Sequence, residues 1–183
     1  PVLLLELQAA DAAITLWLEH RPQEAGSVTN AALEHARALA TSSCQTEALE
    51  PHFQGAYQRT LVLACVGAMQ ANEPEVLLPL VEEMYRVAAG GGIEASLQTS
   101  LRRGSALMLL GRLAEAEAQL AAAWLEARRG FLSAIALDIG TWLVQTSCQR
   151  GRLIEAQEVA GECGALAERI GEPSRPAMFA QMW

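Results

Sequence analysis

A short motif occurs twice in the second half of the chain, and the two copies lie 40 residues apart, from position 111 to position 151. Residues 109–116 read LLGRLAEA, and residues 149–156 read QRGRLIEA. In both copies Gly-Arg-Leu is followed by Glu and then Ala at the same offsets. A period of this length is typical of arrays of helix–turn–helix units, so we expect the chain to consist of helical pairs stacked in sequence order.

Signals for helix starts and stops recur along the chain. Apolar residues repeat at spacings of three and four, and the strict alternation of a β-strand does not persist anywhere. Pro22 and Pro74 fall where the first turn of a helix is expected. Gly111 and Gly151 are predicted helix stops, because glycine tolerates the left-handed conformation that a helix end favours. Gly130 is the predicted stop of the helix between them. The predicted units are residues 1–50, 51–92, 93–130 and 131–172, with a partial unit at 173–183.

The two ends of the chain predict a piece of a longer protein. The first residue is Pro1 rather than Met, and the last six residues, MFAQMW, are too apolar for a solvated tail. No cationic segment precedes the apolar residues 2–5, so no signal peptide is indicated. The longest apolar run is shorter than the roughly 18 residues of a membrane span. We therefore expect a cytoplasmic fragment that does not enter a membrane.

The chain is acidic, and all of its basic residues are arginine. Its net charge is −8, and its 13 basic residues include no lysine. A lysine-dependent P-loop or Schiff-base site is therefore excluded. A nucleic-acid backbone needs a basic stripe, whereas the pairs at residues 102–103 and 128–129 are isolated from each other. We expect no direct contact of this segment with nucleic acid.

No pattern of residues predicts catalysis, a metal or a cofactor. His20, His35 and His52 have no metal-ligand spacing, and the three glycines at 90–92 are not followed by the Lys of a phosphate-binding loop. We expect no enzyme, although an active site assembled with partner domains stays open. The cysteines form no C-x-x-C pair and are predicted to be small buried thiols, with one disulfide as the alternative. They are Cys44, Cys65, Cys148 and Cys163.

The Gly-Arg-Leu-x-Glu-Ala turn resembles the tetratricopeptide (TPR) repeat. In that repeat a small residue lies twelve positions before the Ala of the second helix, as Gly104 does before Ala116. Ala64 fits the same place before Val76, whereas Val144 departs from it and should widen the crossing there. The resemblance implies an all-α, right-handed α–α superhelix of about four helical hairpins plus a terminal helix.

The long, alanine-rich repeats also resemble the repeat region of MalT/LuxR-like bacterial transcriptional regulators, over roughly residues 60–183. That resemblance implies a sensor segment for a protein, a peptide or a small-molecule effector, with DNA binding outside this chain. The alternative is a stand-alone TPR-like adaptor or co-chaperone unrelated to transcription. The open end of such an array also predicts self-association, with a homodimer through the terminal helices.

The resemblance further implies a concave surface lined by the first helix of each pair. The 40-residue register aligns Gln58, Gln98 and Asp138 on these helices, with Arg102 and Trp142 one turn after the last two. Because positions four apart share a helix face, the five residues are predicted to form one partner-binding groove. Arg102 would bind a carboxylate, and Trp142 would anchor an apolar side chain. The alternative is that Trp142 belongs to the core.

Overall fold

The computed structural model describes residues 4–5, 7–11, 22–41, 50–71, 73–88 and 92–171, and all regular structure in these ranges is α-helical. This confirms the all-α class. The predictions for the partial unit at 173–183 and for Cys44 and His20 lie outside the described residues. Residues 4–5 and 7–11 are helical, and seven further helices have defined bounds. They are α1 Pro22–Thr41, α2 Glu50–Gln70, α3 Pro74–Ala88, α4 Gly92–Leu109, α5 Leu113–Arg129, α6 Ser133–Gln149 and α7 Leu153–Arg169.

The chain divides into two compact units, Pro1–Thr99 and Ser100–Trp183. In the first unit, α2 packs against both α1 and α3. In the second unit, α6 packs against both α5 and α7. In each case a helix contacts its neighbours in sequence, as expected when an amphipathic helix is covered by the next helix of a hairpin. None of the helices in the described ranges is long and apolar enough to cross a lipid bilayer.

One type of turn closes α4, α5 and α6. At the end of α4 the amide of Arg112 donates to the carbonyl of Leu107 at 2.9 Å, and the amide of Gly111 donates to that of Met108 at 2.9 Å. This is the Schellman arrangement, which needs a left-handed residue just after the helix. The same pair of bonds closes α5 and α6 at 2.9 to 3.2 Å. The left-handed residues are Gly111 (φ 72°), Phe131 (φ 55°) and Gly151 (φ 75°).

These three positions are 20 residues apart, so each helix with its turn spans 20 residues and two of them make the 40-residue repeat. Gly130 ends α5 as predicted and is the C-cap residue of that helix. It keeps a right-handed conformation at φ −79°, and the left-handed place falls to Phe131. The turn geometry is set by its position in the repeat, and a bulky residue occupies that position here.

The first repeat is one residue shorter than the second. The amide of Glu73 donates to the carbonyl of Ala68 at 2.9 Å, as Arg112 does to Leu107, and positions 73 and 112 differ by 39. The residue equivalent to Ala116 is therefore Leu77, which is fully buried, and not Val76, whose side chain is 46% exposed. The expected small-residue match between Ala64 and Val76 is wrong by one position for the same reason.

Two glycines of the second unit lie where neighbouring helices come into close contact. A Cβ on Gly104 would lie 2.5 Å from Cγ of Leu120, so the backbone of α4 comes close to α5 at this position. A Cβ on Gly140 would overlap Sγ of Cys163 and lie 2.8 Å from Cζ3 of Trp124. The close approach of α6 to α5 and α7 thus lies at Gly140. The TPR pattern would place it one turn later, at Val144.

Candidate functional site

Helices α5 and α7 flank α6, and open space remains near each end of α6. A groove of about 400 Å³ near the start of α6 is lined by residues of all three helices and of the α5–α6 turn. We call this the Phe131 groove. A second groove of about 430 Å³ near the end of α6, which we call the Glu117 groove, is also lined by all three helices. Gly140 lies between the two along α6, where Trp124 and Cys163 approach its backbone.

The Glu117 groove contains a buried carboxylate whose charge is fully compensated. The Ser147 hydroxyl donates to Oε1 of Glu117 at 2.8 Å, and Nη1 of Arg152 donates to Oε2 at 2.9 Å. Arg150 forms a further ion pair with the same carboxylate. Arg152 also donates to Glu155 at 2.8 Å. The groove therefore pairs two carboxylates with two guanidinium groups, and Glu117 connects α5 to the α6–α7 turn.

The Phe131 groove combines aromatic rings with positive charge. The ring of Phe131 is 90% exposed, whereas Trp124 is buried beneath the guanidinium of Arg128. Cζ of Arg128 lies 5.4 Å from the centroid of the Trp124 ring, within the range of a cation–π interaction. Arg128 also forms an ion pair with Glu162. On α7, Arg169 lines the groove and makes no ion pair with any described residue.

The start of α6 lies in this groove without a negative partner of its own. Leu132 and Ser133 line the groove, the N-cap makes no side-chain hydrogen bond, and the first turn contains no acidic residue. Helices α5 and α7 differ, because each carries a glutamate in its first turn, Glu115 and Glu155. A helix N-terminus carries partial positive charge, so the start of α6 adds to the positive potential of the groove.

Gln58, the first residue of the predicted partner-binding groove, lies in the core of the first unit. Its side chain is 8% exposed, and Nε2 donates to Oγ1 of Thr99 at 3.2 Å. The physical reason is the 39-residue first repeat, which places Arg59 and not Gln58 in register with Gln98. The Oε1 atoms of Gln58 and Gln98 are buried and accept no hydrogen bond within the described residues. Two acceptors of the first unit thus remain unsatisfied.

The other predicted groove residues are half-buried. Gln98 belongs to the first unit, and Arg102, Asp138 and Trp142 belong to the second. Asp138 and Trp142 lie one turn apart on α6, as their spacing predicted. Trp142 packs against the buried cluster of Leu107, Met108 and Ala116, so part of its ring serves the core. Because the five residues are divided between the two units, their grouping into one surface stays a prediction.

A second buried carboxylate holds the helices of the first unit together. Nε and Nη2 of Arg37 on α1 donate to the two oxygens of Glu83 on α3, at 3.1 and 2.8 Å. The hydroxyl of Tyr57 on α2 donates to the same carboxylate. Burial raises the pKa of Glu83, but the hydrogen bonds from Arg37 and Tyr57 outweigh it, so the pKa lies below its usual value. Burial and the bond to Glu83 raise the pKa of Tyr57 to about 12.

The described cysteines are reduced thiols. Cys65 and Cys163 are buried as predicted, and Cys148 is half-buried. Burial, with a smaller contribution from the charge of Glu162, raises the pKa of Cys163 to about 12. A thiol with such a pKa is protonated at neutral pH and a poor nucleophile. Within the described ranges, no three His, Cys, Asp or Glu side chains are grouped so as to hold a metal ion.

The sequence contained one signal for the Phe131 groove that the 40-residue period does not reveal. With a period of 20, Phe131 stands at the position held by glycine 20 residues before it and 20 residues after it. No comparable signal marks the burial of Glu83 or Glu117, because their partners are distant in sequence.

Comparison with protein-family models, with curated proteins and with solved structures gives no match for this chain.

Proposed function

We propose that the chain is an interaction scaffold of TPR-like helical repeats that binds a protein or peptide partner, or a small-molecule effector. The observation that carries this proposal is the pair of open grooves over α6, of about 400 and 430 Å³. Ligand sites between packed helices are usually concave, apolar in part and equipped with a few polar groups. Both grooves have this composition. The proposal assigns no catalytic step to the chain.

We further propose that the repeats form a right-handed superhelix of about four hairpins. The recurrence of one turn type every 20 residues supports this, because equal turns give successive helix pairs equal rotations, and equal rotations build a solenoid. A crystal structure of the full chain would test it. Unequal rotations between successive hairpins would contradict the superhelix without affecting the all-α class.

The biological context that we propose is the sensor segment of a bacterial transcriptional regulator. It is supported by the resemblance of the Gly-Arg-Leu-x-Glu-Ala turns and by the net charge of −8, which suits a segment that does not itself contact DNA. The genomic sequence on both sides of this segment provides the test. An ATP-binding module upstream and a helix-turn-helix module downstream would support the regulator, and a reading frame without them would indicate a free-standing adaptor.

The predicted partner-binding residues can be tested once a partner is known. Arg102→Ala and Trp142→Ala should each weaken the affinity for that partner if the first helices line the binding surface. Trp142 requires a folding control, because its ring also packs on Leu107 and Met108. Unchanged affinity in both variants, with unchanged helicity, would remove these residues from the site and leave the two grooves over α6 as the candidates.

A further inference from the structure

We infer that the Phe131 groove binds a peptide segment of a partner protein in which a carboxylate lies next to an apolar side chain. The inference rests on the proposed scaffold function and names the chemistry of its partner. Three features of the groove carry it: the exposed ring of Phe131, an apolar floor with room for a side chain, and an excess of positive charge.

Neither the backbone conformation of the turn nor packing within the chain favours a phenylalanine at position 131. A left-handed backbone conformation is sterically unfavourable for a bulky L-residue, and the two equivalent turns use Gly111 and Gly151 instead. The ring is 90% exposed, so it gains little from packing within the chain. Strained residues that the fold does not require are found at binding sites. Contact with a partner would bury the ring and make use of its apolar area.

The floor of the groove suits a single apolar side chain. Trp124, Leu132 and Leu166 line it, and Ala136 leaves space because its side chain is short. The volume of about 400 Å³ exceeds that of any amino-acid side chain and lies in the range of small-ligand pockets. Phe131 stands at the rim, where it would contact the residue that follows or precedes the one inserted.

The charge of the groove selects an acidic partner. Its charged lining residues are Arg128, Glu162 and Arg169, which sum to +1, since two guanidiniums outweigh one carboxylate. Arg128 is engaged by Glu162, whereas Arg169 makes no ion pair with a described residue. The start of α6 adds further positive potential. Because the chain as a whole carries −8, a polyanion such as nucleic acid would be repelled, whereas a short acidic peptide can reach this local positive site.

A random dodecapeptide display library selected on the full chain tests the inference directly. We expect the enriched peptides to combine Asp or Glu with a neighbouring Leu, Ile or aromatic residue. Phe131→Gly should weaken the binding of these peptides by about tenfold, measured by fluorescence anisotropy. Arg169→Glu should weaken it by a similar factor and, in a fresh selection, shift the enriched peptides from acidic to basic residues.

Matched controls separate this site from general effects of apolarity and charge. Leu125→Ala removes an exposed apolar side chain of α5 that does not line the groove, and Arg129→Glu makes the same charge change next to the groove. Both should bind the selected peptides within about twofold of the unchanged chain. Circular dichroism confirms that each variant keeps its helicity, and Phe131→Gly should fold because glycine favours the left-handed turn.

Other outcomes would overturn the inference in distinguishable ways. Peptides that bind equally well to the unchanged chain, Phe131→Gly and Arg169→Glu would show that the scaffold binds elsewhere, so only this site would be wrong. An enriched consensus without carboxylates would also reject the site. If no peptide were enriched, both the site and the proposed peptide-binding function would be contradicted.

Discussion

Phe131 and Gly151 occupy the same position in two copies of one turn, at φ 55° and φ 75°. Steric contact between Cβ and the backbone makes this conformation costly for every residue except glycine. Of the three turns that close α4, α5 and α6, one is therefore strained and two are relaxed. At the scale of the single residue, this difference predicts opposite effects for exchanging the two residue types.

Phe131→Gly should raise the free energy of unfolding by about 1 kcal/mol, because relief of the left-handed strain outweighs the greater freedom of glycine in the unfolded chain. Removal of the ring costs little packing energy, since the ring is exposed. The reverse change, Gly151→Phe, should lower the free energy of unfolding by about 1–2 kcal/mol. Urea denaturation followed by circular dichroism measures both. A destabilised Phe131→Gly variant would mean that the ring contributes to folding after all.

Gly140→Ala should destabilise the chain by about 1–3 kcal/mol, because the new methyl group would overlap Sγ of Cys163 and press on the Trp124 ring. Gly161 on α7 is the matched control, since a Cβ there meets nothing within 4 Å. Gly161→Ala should stabilise by up to about 1 kcal/mol through helix propensity. Thermal unfolding of the two variants measures the contrast, and equal shifts would place the close approach elsewhere.

At the scale of the element, single buried carboxylates hold helices together. Glu83 joins α1, α2 and α3 through Arg37 and Tyr57, and Glu117 joins α5 to the α6–α7 turn through Arg150 and Arg152. A hydrogen bond to a charged group is stronger than one between neutral groups. The cluster around Glu83 should therefore make the packing of α1, α2 and α3 depend on the ionisation of this carboxylate.

Glu83→Gln should make the free energy of unfolding depend less strongly on pH in the acidic range. The pKa of Glu83 is below its usual value in the folded chain, so its contribution is present above the unfolded pKa of about 4.3. The contribution is lost as the pH falls through the folded pKa. The variant should accordingly lose less stability than the unchanged chain between about pH 5 and about pH 3. Glu82→Gln, which changes an exposed carboxylate of the same helix, is the matched control in urea titrations at each pH.

The elements themselves were largely predictable, and their long-range contacts were not. The bounds of α5, Leu113–Arg129, follow from the local repeat motif and the local apolar spacing. The burial of Glu117 depends on Ser147 and Arg150, about 30 residues away, and a local pattern contains no such information. Gln58 was misplaced because the first repeat is one residue shorter, and a one-residue shift turns a helical position by about 100°.

At the scale of the whole molecule, the exposed apolar residues of α7 predict self-association. Ile154 is 73% exposed, Leu153 is also exposed on this last described helix, and Ile170 is exposed directly after it. Light scattering should show a mass that rises towards that of a dimer with concentration. Ile154→Glu should shift the chain towards the monomer, whereas Leu125→Glu on α5 should not. A monomeric mass at high concentration in the unchanged chain would exclude the homodimer.

The turn that recurs every 20 residues also bears on how such a chain can lengthen. Because Gly111–Arg112 and Gly151–Arg152 are equivalent junctions, an in-frame duplication of residues 112–151 would join Gly151 to a second Arg112 in an unchanged turn. In the copied segment, Ala116 would stand at the position that Ala156 holds after the present turn. Both side chains are fully buried in the present chain. A gene built in this way can acquire a further hairpin by copying 40 residues, because the turn at the new junction is one that the chain already forms.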